Sequence, residues 1–117
     1  MNKKAEDTFE MEHTDVGTTK EALSNNIVPL NKFARKVYGM LLNNRDGTAA
    51  ATITFTIEKD TTVERAIPAI VLGANVFLNV SRELENPIIT IGPGKNIKAQ
   101  VTAGTGPVSV MLQAYDL

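Results

Sequence analysis

Strict two-residue alternation near the C-terminus constrains this chain more than any other feature. Ile97, Ala99, Val101 and Ala103 alternate with Lys98, Gln100 and Thr102. Val108, Val110, Leu112 and Ala114 then alternate with Ser109, Met111 and Gln113. Successive side chains on a strand point to opposite faces, so this is the pattern of two half-buried strands. Gly104-Thr105-Gly106-Pro107 stands between them, and a short link of that composition predicts a β-hairpin. The apolar face of the pair needs a second sheet to cover it.

The same reading extends back through the chain. Residues 51–58 place Ala51, Ile53, Phe55 and Ile57 on one face, and Thr52, Thr54, Thr56 and Glu58 on the other. A row of threonines marks a wet or lightly packed face. Residues 36–42 carry Tyr38, Met40 and Leu42 on one face and Val37 and Leu41 on the other. Apolar residues on both faces suit a strand that is buried on one side and touches a partner on the other. Pro68 interrupts the strand expected over residues 62–72, which predicts an edge position or a bulge. Val76, Leu78 and Val80 face inward in the next strand and Phe77 faces outward. Residues 87–91 form a further strand, and residues 25–31 a short extended piece that Pro29 confines to an edge. About seven or eight short strands with regular turn signals predict an all-β antiparallel sandwich, jelly-roll-like in type.

Residues 1–25 differ from the rest. They hold six carboxylates, three lysines and one aromatic, Phe9. Such a stretch, taken alone, buries too little to offset its ordering entropy. The expected organisation is a polar arm over residues 1–25 and a sandwich domain over residues 26–117. Thr18 or Thr19 is placed to cap a single helical turn over residues 18–23, and such a turn is unstable by itself. Two readings of the arm stay open: a loose tail, or an arm that lies along a neighbouring subunit.

Other features bound the function. The length of 117 residues suits one domain, and there is no cysteine to build a disulfide framework or a thiolate metal site. No apolar run approaches the roughly 20 residues that span a bilayer, and the N-terminus lacks the pattern of a signal peptide. A net charge of −1 gives no basic surface for nucleic acid. The single histidine, His13, has Glu10, Glu12 and Asp15 beside it, but no scaffold to preorganise a metal site. The carboxylate pairs Glu83/Glu85 and Asp60/Glu64 read as solvated surface. The Gly92-Pro93-Gly94-Lys95 turn lacks the spacing and following helix of a phosphate loop. No catalytic residue, metal or cofactor is expected. A sugar site needs exposed aromatics, and only Phe77 and Tyr115 are placed outward on the sandwich.

An order of features from residue 37 to residue 116 resembles a family of small β-sandwich virion proteins of tailed bacteriophages. A strand ends in Leu41-Leu42-Asn43-Asn44, and a threonine-alternating strand follows at Thr52-Ile53-Thr54-Phe55-Thr56-Ile57. An apolar strand leads to Leu72-Gly73-Ala74-Asn75, Pro93-Gly94-Lys95-Asn96 opens a Lys/Ala strand, and Val108-Ser109-Val110 begins the last one. The acidic arm has no counterpart in that pattern. The resemblance implies a non-enzymatic structural protein located on the phage particle, most simply on the capsid surface, after synthesis in the host cytoplasm. It implies a capsid decoration (cement) protein that bridges capsomers and binds the major capsid protein or other virion proteins. A homo-oligomer, with a trimer favoured, is expected, without nucleic-acid or membrane partners. Tail, baseplate or fibre modules and carbohydrate-binding modules are the alternative roles. The residues expected at subunit contacts are Phe9, Val16 and Leu23 of the arm, Tyr38 and Met40 of the two-faced strand, and Phe77, Met111 and Tyr115.

Overall fold

The computed structural model describes residues 8–11, 13–23 and 27–117. Among these residues ten strands follow in order: β1 (Phe9–Glu10), β2 (Thr14–Val16), β3 (Glu21–Ala22), β4 (Arg35–Asn44), β5 (Ala51–Lys59), β6 (Thr62–Leu72), β7 (Phe77–Ser81), β8 (Ile89–Ile91), β9 (Asn96–Ala103) and β10 (Val108–Asp116). No helix occurs among the described residues. The strands form two antiparallel sheets packed face to face, a β-sandwich. In the first, β10 and β4 are central; β1 and β2 flank β10, and β7 and β8 flank β4. The second runs β3–β9–β5–β6.

Alternation puts one face of each sheet into a common interior. Ala51, Ile53, Phe55 and Ile57 from β5 meet Val37, Met40, Leu42, Val108, Val110 and Leu112 from the first sheet in one buried cluster. Each of the larger side chains in this set, Ala51 apart, contributes about 1.5–3 kcal/mol when fully buried. Buried Asn44 ends β4 and satisfies its own polarity: its amide nitrogen donates to the carbonyls of Ala49, Leu72 and Gly73 at 3.0–3.1 Å, and its Oδ1 accepts from the Asp46 amide. At the other end of β4, Arg35 faces Asp116 in register and makes a two-pronged pair at 2.8 and 3.1 Å. Its guanidinium also lies 5.0 Å from the Phe9 ring centroid.

The terminal alternation marks two strands, but they are not a hairpin. β9 belongs to the second sheet and β10 to the first. Residues 104–107 arch between the sheets instead of turning within one. Gly104 and Gly106 have positive φ, and a Cβ on Gly104 would collide with the Ala50 carbonyl. Pairing explains the outcome. β10 matches β4 over nine residue pairs and β9 matches β5 over seven, so both sit centrally with both edges bonded. A two-stranded hairpin would leave one edge of each open.

The acidic N-terminal stretch also departs from expectation. Instead of a helical turn, residues 21–22 extend along β9, and Leu23 N–H donates to the Ile97 carbonyl. β1 and β2 run along β10. Residues 8–11 and 13–23 thus form a strap that passes from one sheet to the other on the same chain. Met11, Val16 and Leu23 drop into the core from it. Three well-spaced anchors and two preformed sheet edges supply what its average composition lacks. Residues 1–7, 12 and 24–25 of the expected arm lie outside the described residues, as do residues 25–26 of the extended piece. The remainder of that piece is not a strand, although Val28 exchanges backbone bonds with Lys95 and Gly94.

Local geometry corrects one face assignment and the exposure of one residue. Ala114 pairs with Val37 and Gln113 with Gly39, which leaves Tyr38 as an extra residue in a bulge. The bulge re-phases β4, so Val37, Met40 and Leu42 point inward while Tyr38 and Leu41 point outward. Glu58 lies beside the threonine row yet is only 3% exposed, because Lys20 of the strap and Lys98 close over it. Pro68 sits on edge strand β6, within a register shift against β5, so both devices expected from it are present.

If the strap is part of the core, Leu23→Ala should lower unfolding free energy by about 2–4 kcal/mol. Leu30→Ala, at an exposed site, should change it by less than about 0.5 kcal/mol. Urea titration measures both, and equal, near-zero effects would show that the strap is not docked in solution.

Candidate interaction surface

Register places the outward side chains of the first sheet in rows. Asp15, Ser109, Asn43 and Phe77 form one row, and Met111, Leu41 and Asn79 form the next. Glu10, Gln113, Gly39 and Ser81 make the third. A Cβ on Gly39 would collide with the Gln113 side chain, so the glycine is what lets Gln113 lie flat across β4. The first two rows enclose a shallow hollow of about 400 Å³. Leu41, Phe77 and Met111 provide its apolar lining, and His13, Arg45 and Ser109 its polar rim. Phe77 is 61% exposed. The outer face of the second sheet differs: it carries Thr54 hydrogen-bonded to Thr102, and Gln100 donating to the Thr18 carbonyl.

The strap forms one wall of the hollow, and two carboxylates hold it. Asp15 accepts from Ser109 at 2.8 Å and from Arg45 at 3.0 Å, with His13 at 3.4 Å. The Ser109 hydrogen bond is the largest influence on Asp15; burial opposes it, and Arg45 and His13 reinforce it, leaving the carboxyl below its ordinary 3.8. On the second sheet, burial pushes the Glu58 carboxyl up. Hydrogen bonds from Thr56, Lys20 and Lys98 and the Lys98 charge outweigh this and leave it below its ordinary 4.5.

The expected contact residues separate into two groups. Val16, Leu23 and Met40 are buried in the chain's own core. Tyr115 points to the outer face, as its alternation requires, but is 4% exposed. The loop after β7 covers it: its hydroxyl donates to the Leu84 carbonyl, and its ring lies 6.3 Å from that of Tyr38. These four are therefore closed to a neighbour, and Tyr115 is not available to stack a sugar. Phe9, Tyr38 and Met111 are half-buried, and Phe77 is open. Met111 and Phe77 are the two the fold brings together, with Leu41 added by the bulge. Sequence reasoning missed Leu30 and Phe33, which are 84% and 87% exposed. Their signal was an apolar pair in a Pro-Leu-Asn-Lys-Phe turn that fits no strand alternation.

His13 and Asp15 lie on the exposed rim, and Glu12 lies outside the described residues. Among those described, no group of three His, Asp or Glu side chains is arranged to hold a metal ion. No protein-family model matches the chain, and no curated protein and no solved structure is significantly similar to it.

The carboxyls of Asp15 in the strap and Glu58 in β5 are both depressed in the folded state, so each stabilises above its unfolded pKa and loses that effect as pH falls through its folded one. Acidification from about pH 6 to about pH 3 should loosen the strap first. Amide protection factors, which are corrected for the fall in intrinsic exchange rate with pH, should drop more in β2 and β3 than in β5. The double variant Asp15→Asn, Glu58→Gln should remove most of that acid-side difference. A uniform fall in protection across all three strands would contradict the latch role.

Proposed function

We propose that this chain is a structural protein of a tailed-phage particle, of the capsid-decoration class, which works by binding protein neighbours. The observation that carries the reading is the hollow on the outer face of the first sheet. Leu41, Phe77 and Met111 lie together there on hydrogen-bonded neighbouring strands with a charged rim. A contiguous apolar group rimmed by polar residues is the form a protein contact takes. Burying the exposed part of Phe77 alone is worth about 1–2 kcal/mol. The order of strand and turn motifs that resembles phage sandwich proteins supplies the particle context. A rigid sandwich with a cross-sheet strap is suited to a load-bearing clip, and several weak contacts per assembly add through effective concentration. A tail or baseplate position would use the same contact surface.

Phe77→Asp tests this directly. Phe77 makes little contribution to the core, so the variant should keep its melting temperature within a few degrees. Its co-sedimentation with heads of the phage that encodes it, prepared without this protein, should fall by roughly tenfold or more. Unchanged binding would remove the hollow from the function.

A further inference from the structure

The chain presents a second apolar feature of opposite shape. Leu30 and Phe33 stand 84% and 87% exposed on a turn, with Lys32 between them. The turn is not loose. Lys32 N–H donates to the Pro29 carbonyl at 3.1 Å, and Phe33 N–H to the Leu117 carbonyl at 2.9 Å. Just before the turn, Val28 is bonded on both sides to the Gly94–Lys95 segment, and just after it Ala34 accepts from Leu117. Two large apolar side chains are thus held out into solvent by a backbone that is pinned at both ends. Covering each exposed side chain of this kind would gain about 1.5–3 kcal/mol, so a pair presented together on a pinned turn is a favourable contact point.

We infer that the Leu30/Phe33 knob of one copy seats in the Leu41/Phe77/Met111 hollow of a second copy. This rests on reading the hollow as a protein-binding surface, and it names the occupant. Three observations favour a second copy. The knob and the hollow are complementary in form, one projecting and one receding, and both are apolar. They lie at opposite ends of β4: the eight steps from Arg35, beside the knob, to Asn43, beside Phe77, span about 26 Å at about 3.3 Å per residue. Neither can therefore satisfy the other within one chain. Charge offers one match beside the hollow. Lys32 is the charge within the knob; exposed Glu10 stands on the strap in the row next to the hollow, while Asp15 is already engaged by Arg45 of the rim. The contact joins different patches on the two copies, so it builds a reciprocal pair, a closed ring or an open filament, according to the rotation between copies.

The absence of cysteine makes the test clean. Phe33→Cys with Met111→Cys in one chain should give disulfide-linked dimers or higher species under mild oxidation. Each single variant should stay largely unlinked. An intrachain bond is ruled out by distance, since disulfides need Cα atoms within about 7 Å. In the otherwise unaltered chain, Phe33→Asp should weaken self-association by roughly tenfold, as read by light scattering over a concentration series. Both cysteine sites point outward, and thermal melts of the reduced variants check that the fold is kept. A strictly monomeric parent chain, or linkage of Phe33→Cys alone as efficient as the double variant, would overturn the inference. If the double variant fails to link while Phe77→Asp still abolishes head binding, this inference fails and the proposed function stands. If the link forms while head binding ignores Phe77→Asp, the self-contact stands and the proposed role does not.

Discussion

Contact between the inner faces of the two sheets is the interaction on which everything else depends. Phe55, Ile53 and Ile97 from one sheet and Leu42, Leu112 and Val37 from the other are essentially removed from solvent. With a side-chain period of two, a one-residue slip of any central strand would turn this set outward. Register is therefore fixed from inside, and the outward rows follow from it. The hollow of Leu41, Phe77 and Met111 is the reverse side of the rows that hold Leu42, Val110 and Leu112.

A sandwich of two twisted sheets leaves two sides where the edges meet, and this chain treats them differently. One side is closed by the strap, which adds short strands to β10 and β9 and lowers Met11, Val16 and Leu23 between the sheets. On the other, β6 faces β7 and β8 across an apolar groove of about 460 Å³ that includes Ile67, Ile70, Val80 and Ile88. A bare sheet edge invites pairing with other chains. Pro68, its bulge, and the charges of Glu64 and Arg65 on β6 are the devices that discourage it. Edge-to-edge addition along β6 is thus disfavoured by construction, which directs association toward side-chain contacts on faces and turns.

Alternation made the sandwich legible from the sequence, because it reports which way a side chain points. It does not report which strand lies alongside. That is why residues 97–103 and 108–116 are recognisable as strands while their partners, β5 and β4, are not. A bulge breaks the count silently: Tyr38 and Met40 share a parity but not a face. Composition misleads in a similar way over residues 8–23. Its average is acidic and polar, yet three buried anchors and the Asp15 and Glu58 latches decide its position. Tyr115 faces outward as its parity requires, and only the fold of a distant loop, through the Leu84 carbonyl, covers it. Phe77 and Met111 were legible as outward residues; their meeting with Leu41, and the pinning of Leu30 and Phe33, depend on tertiary contacts that no local pattern encodes.

The central claim is that a protein neighbour covers the hollow. Oxidative footprinting of the methionines reads this most directly, with the dispersed chain compared with the assembled or particle-bound form. Met11 and Met40 are buried in the core and should oxidise slowly in both states, which makes them internal references. Met111 lines the hollow and should oxidise readily in the dispersed chain and become protected on assembly. Equal Met111 oxidation in the two states would mean that the hollow stays open to solvent, and the surface would lose its assigned role.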